Sequence, residues 1–330
     1  MRLLSISTDR QLFDAGSAVW VRCAEHARGV GESHLLVFAD RRFTKQQIAR
    51  NCRVYPTRSR TRWLYLFDAI RLGRSIIKGN KITEITCQDP FLTAVVALSL
   101  KKRFNIPVEI QVHTDIGSPH FGYTKGNKVR KILARWSLPK ADKIRVVSDR
   151  LKTYLVEVLK VESSKIEVRP IVVGAEEIKG MPVAADLHKK YPQFSKIVLM
   201  ASRLTREKNI RLAIEAMWGV VKGKPQAGLI IVGSGPERGK LEERSARLGL
   251  KKNVIFEPWA NRETLISYYK TADLFLVTSL YEGYGMTLVE ARAAGCDIVS
   301  TDVGVAPEMN IRLVEHNVGS MAEGIIESLQ

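Results

Sequence analysis

The stretch "DLFLVTSLYEGYGMTLVEARAAGCDIVSTD", residues 273 to 302, contains the pattern that decides the fold. An apolar, β-branched run is followed by a glycine-rich loop, a helical segment from Met286 and a second apolar run, and Gly295 is placed to end the helix. Two strands joined through a helix run in the same direction, so this order predicts a parallel sheet. The unit also sets two glutamates, Glu282 and Glu290, around the loop and the start of the helix.

The same alternation of strand and helix patterns continues along the whole chain. Strands are predicted at residues 2–7, 34–39, 81–87, 107–113, 143–148 and 165–173, and then at 196–202, 228–233, 253–258, 273–279 and 297–302. Such an order predicts an α/β fold with parallel sheets covered on both faces. A chain of 330 residues is longer than one core usually supports, and the alternation breaks at "VGAEEIKGMPVAAD" from residue 173. We therefore predict two Rossmann-like domains, 1–175 and 176–330.

Positive charge is concentrated in the first half of the chain. The sequence has 52 Lys and Arg against 34 Asp and Glu, a net charge of +18. Residues 1–175 contain 32 basic and 15 acidic residues, a net +17, whereas residues 176–330 contain 20 and 19, a net +1. This asymmetry predicts an acidic partner for the first half, with nucleic acid or anionic lipid as the usual candidates.

Metal-binding, disulfide-linked and membrane-spanning classes find no support in the sequence. The four cysteines, Cys23, Cys52, Cys87 and Cys296, lie far apart without metal-ligand spacing, and they read as buried small hydrophobes. The longest apolar run, residues 91–100, is about half of the roughly 20 residues that a spanning helix needs. Because the N-terminus has no room for the apolar core of a signal peptide, we expect a cytoplasmic protein.

In parallel α/β sheets ligands bind beyond the carboxyl ends of the strands, so the loop after residue 279 is a candidate site. Gly283 and Gly285 permit close backbone approach at the start of a helix, where free N–H groups favour an anion such as phosphate. Glu290 lies about 7 Å along the helix from Gly285, so Glu282 and Glu290 cannot both contact one group, but they could bind the two ends of an elongated ligand. A solvated surface position is the alternative for Glu290.

Three more loops after predicted strands have unusual composition. "SRLTREKN" sets Arg203 and Lys208 just before a helix, as an anion clamp would, although solvated charges are the better interpretation of this loop alone. "GSGP" places Gly233 at a strand end, with Pro236 expected at the first position of the next helix. His113 ends the strand "PVEIQVH" and reads equally well as a hydrogen-bonded core residue.

Together these loops resemble those of the retaining glycosyltransferases of family 4, also called group 1, which have the GT-B fold. The motifs are "SRLTREKN", "GSGP", "IPVEIQVHTD" and above all "EGYGMTLVEARAAG", and the resemblance extends from the first strand to about Glu308. It implies two Rossmann-like domains whose parallel sheets face each other across a cleft. The domain of residues 1–175 would bind the acceptor, and that of residues 176–330 would bind a nucleotide-sugar donor.

The resemblance also implies a role for each motif residue. Glu282 and His113 would lie near the transferred sugar, and Glu290 would hold the ribose hydroxyls. The other implied contacts are Arg203 and Lys208 with the diphosphate, the backbone of Gly283, Tyr284, Gly285 and Met286 with sugar hydroxyls and phosphate, Gly233 with the donor, and Gly16 with Ser17 in an acceptor or phosphate loop. No cofactor or metal is implied, since these cations and a helix N-terminus would meet the leaving-group charge.

Three departures from the family pattern are visible. Gly16-Ser17 replaces the usual glycine pair, and Val305 stands where a second glycine is usual. After Glu308 the chain has only 22 more residues, "MNIRLVEHNVGSMAEGIIESLQ", whereas family members continue for several helical turns. The helix that crosses back onto the first domain is therefore expected to be missing, and an inactive or truncated nucleotide-sugar-binding relative stays open as an alternative.

Two other function classes compete with this interpretation. A basic nucleic-acid-binding protein would account for the net charge, but no recognition motif for nucleic acid is present, and we expect no such partner. A sugar epimerase or phosphorylase of the same architecture also stays open.

The segment of residues 58–81 predicts a membrane contact. A helical period places Arg60, Arg71, Arg74 and Lys78 in one sector, next to the apolar side chains Trp63, Leu66, Phe67, Ile70 and Ile77. A basic stripe beside an apolar stripe is typical of helices on anionic membranes, although packing of the apolar side on the protein's own sheet is an equally good interpretation. With the net +17, this pattern favours peripheral binding to the inner face of a bacterial-type membrane and a lipid-linked acceptor.

Overall fold

The computed structural model describes residues 1–29 and 31–330, which form two compact units, Met1–Pro170 and Ile171–Gln330. The division falls a few residues before residue 175, where the sequence placed it. Each unit has one central sheet with helices between successive strands. The predicted fold class, two α/β units with parallel sheets, is confirmed.

The first unit is built on eight strands: β1 Arg2–Ser7, β2 Glu32–Val37, β3 Gln46–Ala49, β4 Cys52–Pro56, β5 Glu84–Cys87, β6 Val108–Val112, β7 Lys143–Val146 and β8 Ile166–Val168. Their spatial order is β3-β4-β2-β1-β5-β6-β7-β8, and only the β3–β4 pair is antiparallel. The carboxyl ends of the seven parallel strands therefore meet at one edge of the sheet.

Five helices belong to this unit: α1 Ala18–Arg28, α2 Tyr65–Gly79, α3 Leu92–Phe104, α4 Lys125–Ser137 and α5 Asp149–Glu157. Helix α3 packs against both α2 and α4, so these three helices lie in one layer. Helix α3 is capped by Asn105, which adopts a left-handed conformation with φ 54°, and three basic residues in the last turn of the helix complement its dipole.

The second unit is built on six strands: β9 Lys196–Ala201, β10 Ala227–Val232, β11 Val254–Glu257, β12 Leu274–Val277, β13 Ile298–Thr301 and β14 Arg312–Val314. All are parallel, in the order β11-β10-β9-β12-β13-β14. The helices are α6 Ala175–Gly180, α7 Leu187–Lys190, α8 Ile210–Gly223, α9 Arg238–Arg247, α10 Arg262–Thr271, α11 Met286–Ala293 and α12 Val318–Ser328. The order reverses between β9 and β12, so the crevice beyond their carboxyl ends is the expected ligand site.

Both faces of the second sheet are buried, which explains the continuous apolar runs of its strands. Along β9, Val198 and Met200 join one hydrophobic cluster, while Ile197 and Leu199 join the cluster on the opposite face. Successive side chains of a strand point to opposite faces, so a strand covered on both sides needs apolar residues at every position.

Each predicted strand overlaps an observed strand, but three observed strands were not predicted. Strands β3, β4 and β14 have only three to five residues, and none of them contains the longer apolar run by which the other strands were predicted. Strand β8 ends at Val168 rather than at residue 173, because Pro170 cannot donate to the sheet. The expectation for Pro236 was wrong: α9 begins at Arg238, and the N–H of Glu237 is bonded to the carbonyl of Leu204.

No helix in the described part of the chain is long and apolar enough to span a bilayer. The four cysteines are free thiols, with Cys52, Cys87 and Cys296 buried. Burial raises the pKa of the Cys52 thiol to about 11. Within residues 1–29 and 31–330 there is no group of three or more His, Cys, Asp or Glu side chains that could hold a metal ion.

Candidate functional site

The loops after β9 and β12 are fastened to each other at the carboxyl edge of the second sheet. The N–H of Leu280 donates to the carbonyl of Glu207 at 2.8 Å, and the hydroxyl of Thr278 donates to the carbonyl of Lys208 at 2.9 Å. Buried polar groups need such partners, and here the partners lie on the neighbouring strand's loop. The sheet therefore brings two segments that are far apart in sequence into one rigid site.

Lys208 and Glu282, both predicted site residues, form an ion pair in this site. The Lys208 Nζ donates to the Glu282 Oε1 at 2.5 Å, and the hydroxyl of Ser279 donates to the same oxygen at 2.7 Å. Each of the two charged side chains is only 16% exposed. A small cleft next to the pair is also lined by Ser202 and Thr287. A cation and a carboxylate thus stand side by side at the edge of this small cleft.

Arg203 does not join this pair. Its guanidinium contacts Glu207 at 3.4 Å, and its side chain is 69% exposed. Glu207 is also held by the hydroxyl of Thr205, at 2.8 Å. The sequence predicted Arg203 and Lys208 as one clamp, whereas the structure places Lys208 inside the site and Arg203 at its solvent-exposed rim.

The loop after β10 packs directly on the loop after β9. Gly233 has a φ of 147°, and a Cβ atom there would lie 1.9 Å from the carbonyl oxygen of Ser202. A Cβ on Gly235 would lie 2.3 Å from the carbonyl oxygen of Leu204. Only glycine fits at either position. The glycines of "GSGP" therefore bring the ends of β9 and β10 together, which places Gly233 beside the site.

Helix α11 begins directly after the loop that contains Gly283. Gly285 is the N-cap residue, with a φ of 95°, and no side chain caps the helix. Tyr284 is fixed by its backbone: its carbonyl accepts from the N–H of Val305 at 2.9 Å, and a Cβ on Gly304 would lie 2.2 Å from that oxygen. The first turn, from the partly exposed Met286, presents N–H groups and the positive end of the helix dipole to an incoming anion.

Glu290 lies in the second turn of α11 and is half-buried. Burial raises the pKa of its carboxyl group, and the positive charge of Arg262 opposes that rise. The Arg262 guanidinium itself is bonded to Glu177 of α6, at 2.5 Å. Glu290 has an electrostatic neighbour but no hydrogen-bond partner among the described residues, so its oxygens are available to a ligand's hydroxyl groups.

His113, in the first unit, stands just beyond the end of β6. Its Nε2 donates to the Gln111 Oε1 at 3.0 Å, and the amide nitrogen of Gln111 donates to Thr86 and Glu109. These bonds fix the orientation of the amide, so neutral His113 has its proton on Nε2 and leaves Nδ1 free to accept. The imidazole ring is partly exposed to solvent. Desolvation by the protein atoms around it lowers its pKa, and the positive charge of Arg145 lowers the pKa further.

Gly16 and Ser17 connect β1 to α1. Gly16 has a φ of 89° and open space around the position of a Cβ atom. The hydroxyl of Ser17 donates to the carbonyl of Gln11 at 2.8 Å and accepts from the N–H of Trp20 at 3.1 Å. Ser17 therefore caps α1, a structural role that the sequence did not predict. The open space at Gly16 leaves its backbone accessible.

The sequence missed three residues that the structure places at this edge. Arg262 is an electrostatic neighbour of Glu290 and pairs with Glu177, and this pairing depends on a contact between α6 and the start of α10 that no local pattern reveals. Trp259 follows β11 and is 62% exposed. A signal for Trp259 existed, because an aromatic residue just after a predicted strand lies at the ligand-binding edge of the sheet.

The chemistry available at the second unit suits an elongated anion that also has hydroxyl groups. Lys208 and the N-terminus of α11 offer positive charge in a partly buried setting, where it stabilises anions more than in water. Glu282 and Glu290 offer carboxylate acceptors on either side of that charge. A flat aromatic surface at Trp259 completes the edge.

Family models match both halves of the chain. One, described as Glycosyltransferase Family 4, matches residues 13–176. The other, described as Glycosyl transferases group 1, matches residues 186–329. Together they extend over nearly the whole sequence.

Curated relatives match over a large part of the chain. An uncharacterized glycosyltransferase of Methanocaldococcus jannaschii is 27% identical over 271 residues, which is 78% of this chain and 66% of that protein. Alpha-monoglucosyldiacylglycerol synthase of Streptococcus pneumoniae is 28% identical over 239 residues, 68% of this chain and 53% of that protein. The match thus spans between about half and two thirds of the length of these relatives.

Solved structures share the fold. Sucrose-phosphate synthase of Thermosynechococcus elongatus superimposes with a TM-score of 0.83 at 21% identity, covering 99% of this chain and 89% of that one. HepE of Anabaena, in complex with UDP and glucose, superimposes with a TM-score of 0.77 at 19% identity, covering 100% and 90%. With a GT-B fold and both halves matched by family models, the chain belongs to the family 4, or group 1, glycosyltransferases.

Proposed function

We propose that this protein is a retaining glycosyltransferase that moves a hexosyl group from a nucleotide-diphosphate sugar to an acceptor. The observation that supports this most strongly is the Lys208–Glu282 pair beside the uncapped N-terminus of α11. A diphosphate needs the cation and the helix N-terminus, and a sugar needs the carboxylate as a hydrogen-bond acceptor.

The second unit is the donor-binding domain in this proposal. Lys208 and the N–H groups of Gly285 and Met286 hold the diphosphate, with Arg203 closing over it from the rim. Glu290 accepts hydrogen bonds from the ribose hydroxyls. Trp259 stacks on the base, which we take to be uracil because HepE, a protein of the same fold, is a complex with UDP.

Transfer requires charge stabilisation at the leaving diphosphate and a route for one proton. As the bond between the sugar C1 and the diphosphate oxygen breaks, Lys208, Arg203 and the dipole of α11 stabilise the developing negative charge, so no metal ion is needed. The acceptor oxygen bonds to C1 on the same face, and its proton passes to a donor phosphate oxygen. Glu282, in the second unit, positions the sugar.

The first unit is the acceptor-binding domain, and we propose that it binds the inner face of a bacterial-type membrane. The apolar side of the predicted basic helix divides in two: Ile77 is buried in the protein, whereas Trp63 and Phe67 are 90% and 70% exposed. Helix α2 begins only at Tyr65, so Arg60 and Trp63 precede it and do not share its helical stripe, but Arg60, Arg71, Arg74 and Lys78 are all exposed in this segment. Exposed aromatic side chains flanked by arginines favour an anionic lipid surface.

Helix α4 adds a second exposed stripe in the same helical layer as α2. Val129, Ile132 and Trp136 follow the spacing of one helix face, and all three are exposed. Lys125, Lys128 and Arg135 are exposed next to them. Two basic and apolar stripes on one layer support a lipid or lipid-linked acceptor, and a relative named as a glucosyldiacylglycerol synthase is consistent with that class.

Turnover of UDP-hexoses, measured as release of UDP with vesicles of bacterial lipid as acceptor, tests this proposal. We expect release in the presence of a metal chelator and loss of release in the Glu282→Gln variant. Donor binding without any release by the wild-type protein would favour the inactive nucleotide-sugar-binding relative instead.

A further inference from the structure

A groove lined by three arginines lies in the first unit, apart from every residue discussed as a donor contact. It has a volume of about 560 Å³ and is lined by Arg41, Pro56, Thr57, Arg58, Asp68, Arg71, Leu72 and Ser75. Arg41 follows β2 and Arg58 follows β4, so both stand at the carboxyl edge of the parallel sheet, the edge that also presents Gly16 and His113. Ligands of parallel α/β sheets bind at this edge.

The groove has an excess of positive charge that the protein does not neutralise. Asp68, its single acidic residue, accepts from Arg71 at 3.1 Å. The nearby Asp40 is occupied by Arg42, at 3.0 and 2.8 Å, and these bonds lower the pKa of Asp40 to about 2. Arg41 and Arg58 have no hydrogen-bond or ion-pair partner anywhere in residues 1–29 and 31–330, so two guanidinium groups are available to a ligand.

Arg58 is held in place by its backbone. It adopts a left-handed conformation, φ 53°, that is unfavourable for a residue with a side chain. On either side, the N–H of Thr57 donates to Val37 at 2.9 Å and that of Ser59 donates to Ala39 at 3.1 Å. Strained residues that the surrounding structure fixes in this way cluster at ligand sites.

We propose that this groove binds a phosphate group. Guanidinium groups match phosphate oxygens with paired hydrogen bonds, and the unpaired Arg41 and Arg58 line the groove from two loops, with Arg71 on the helix, where it pairs with Asp68. The exposed hydroxyl of Ser75 can donate a further bond, while Pro56 and Leu72 form an apolar wall for the carbon atoms attached to the phosphate. The volume suits a phosphate with a small polyol.

The biological ligand is then the phosphate of the sugar acceptor, either a lipid headgroup or a soluble phosphorylated acceptor. This identification of the ligand rests on the proposed function. The binding of phosphate itself does not.

Calorimetric titration with glycerol 3-phosphate tests the groove, with saturating UDP present so that the donor site is occupied. We compare wild type with Arg41→Gln, Arg58→Gln and Arg58→Gly. The glycine variant keeps the left-handed backbone without strain while removing the guanidinium, so it separates binding from folding. The control is Lys251→Gln/Lys252→Gln, two exposed lysines in the second unit. Each arginine variant is expected to lose affinity by about tenfold or more, and the control is expected to keep it.

Sedimentation with phosphatidylcholine vesicles containing phosphatidic acid then distinguishes the two sources. If the arginine variants also lose vesicle binding, the groove binds a lipid headgroup. If the variants lose only glycerol 3-phosphate binding, the groove binds a soluble phosphorylated acceptor. Arginine variants that bind glycerol 3-phosphate as tightly as the control overturn the inference, even if UDP binding and sugar transfer are intact. Phosphate binding as expected in a protein that never releases UDP from a donor would remove only the proposed function.

Discussion

Lys208 and Glu282, 74 residues apart in the chain, share a hydrogen bond of 2.5 Å at the carboxyl edge of the second sheet. The pair joins a loop from β9 to a loop from β12, and the hydroxyl of Ser279 supports the same carboxylate oxygen. Because both side chains are largely buried, each depends on the other unless a ligand takes its place. The donor diphosphate and the donor sugar are the ligands we propose for Lys208 and Glu282.

Lys208→Ala is expected to weaken UDP binding by about tenfold or more, the loss that follows removal of a charge-assisted hydrogen bond. Glu282→Gln should leave UDP binding within a few-fold of wild type and abolish most of the transfer, since its partner is the sugar. Titration calorimetry and UDP release measure the two effects. Equal losses of UDP affinity in both variants would contradict this division of roles.

Glu290 is expected to lower the stability of the folded protein at neutral pH while contributing to UDP binding. Its pKa in the folded protein is raised above the ordinary value, so its contribution to stability is fully present at pH values below that ordinary value and is lost as pH rises through the folded value. Glu290→Gln is therefore expected to raise the melting temperature at neutral pH and not in acid, and to weaken UDP binding by about tenfold.

Thermal melts of the Glu290→Gln protein across that pH range, with UDP titrations on the same samples, check both parts. Glu243→Gln is the matched control, because Glu243 is an exposed glutamate on α9. A variant that is less stable at neutral pH, or that binds UDP like wild type, would reject the assignment of Glu290 to the ribose.

His113 gives the opposite pH dependence. Its folded pKa lies below the ordinary value of 6.5, so its contribution to stability is present above that value and is lost as pH falls through the folded value. We expect His113→Gln to lose less stability than wild type on acidification from about pH 7 to about pH 5. Melting temperatures along the series measure this, and parallel curves for the two proteins would show that His113 is not held neutral.

Gly233→Ala should destabilise the second unit by about 3 kcal/mol or more, because its Cβ atom would overlap a backbone carbonyl oxygen. Gly239→Ala is the control: this glycine lies in α9 with nothing near the position of a Cβ atom, and alanine favours helix. Urea denaturation compares them. A Gly233→Ala protein as stable as the control would mean that the loops after β9 and β10 are not packed as described.

Membrane binding should depend on the exposed apolar side chains of α4 and of the segment that leads into α2. Ile132→Ser/Trp136→Ser and Trp63→Ser/Phe67→Ser are each expected to reduce sedimentation with anionic vesicles, without loss of UDP binding. Trp218→Ser, an exposed tryptophan of the second unit, is the control. Binding that ignores lipid charge and salt, or that persists in both double variants, would contradict a peripheral membrane role for this layer.

The sequence predicted the fold well because buried parallel strands have to be apolar at nearly every position, as β9 and β10 are. It missed β3, β4 and β14, whose pairing depends on neighbours rather than on their own pattern. The predicted strand ends located the loops that form the site. They could not show that Lys208 would pair with Glu282 while Arg203 would not. That outcome depends on side-chain reach, which is set by the bonds between the two loops.

The electrostatic surroundings of Glu290 could not be predicted for a similar reason. Arg262 and Glu177 belong to α10 and α6, and a contact between helices far apart in sequence leaves no local signal. Arg58 could not be recognised either, since its left-handed backbone follows from hydrogen bonds to the segment after β2. In both cases the tertiary structure decides the electrostatics.

The most direct test of the central claim is calorimetric titration of UDP, ADP and GDP into the wild-type protein with a metal chelator present, repeated with Lys208→Ala, Glu290→Gln and Arg58→Gln. We predict that UDP binds wild type without metal, that Lys208→Ala and Glu290→Gln each lose about tenfold in affinity, and that Arg58→Gln binds like wild type. Absence of binding by all three nucleotides, or UDP binding that is insensitive to Lys208 and Glu290, would contradict a nucleotide-sugar site at the carboxyl edge of the second sheet.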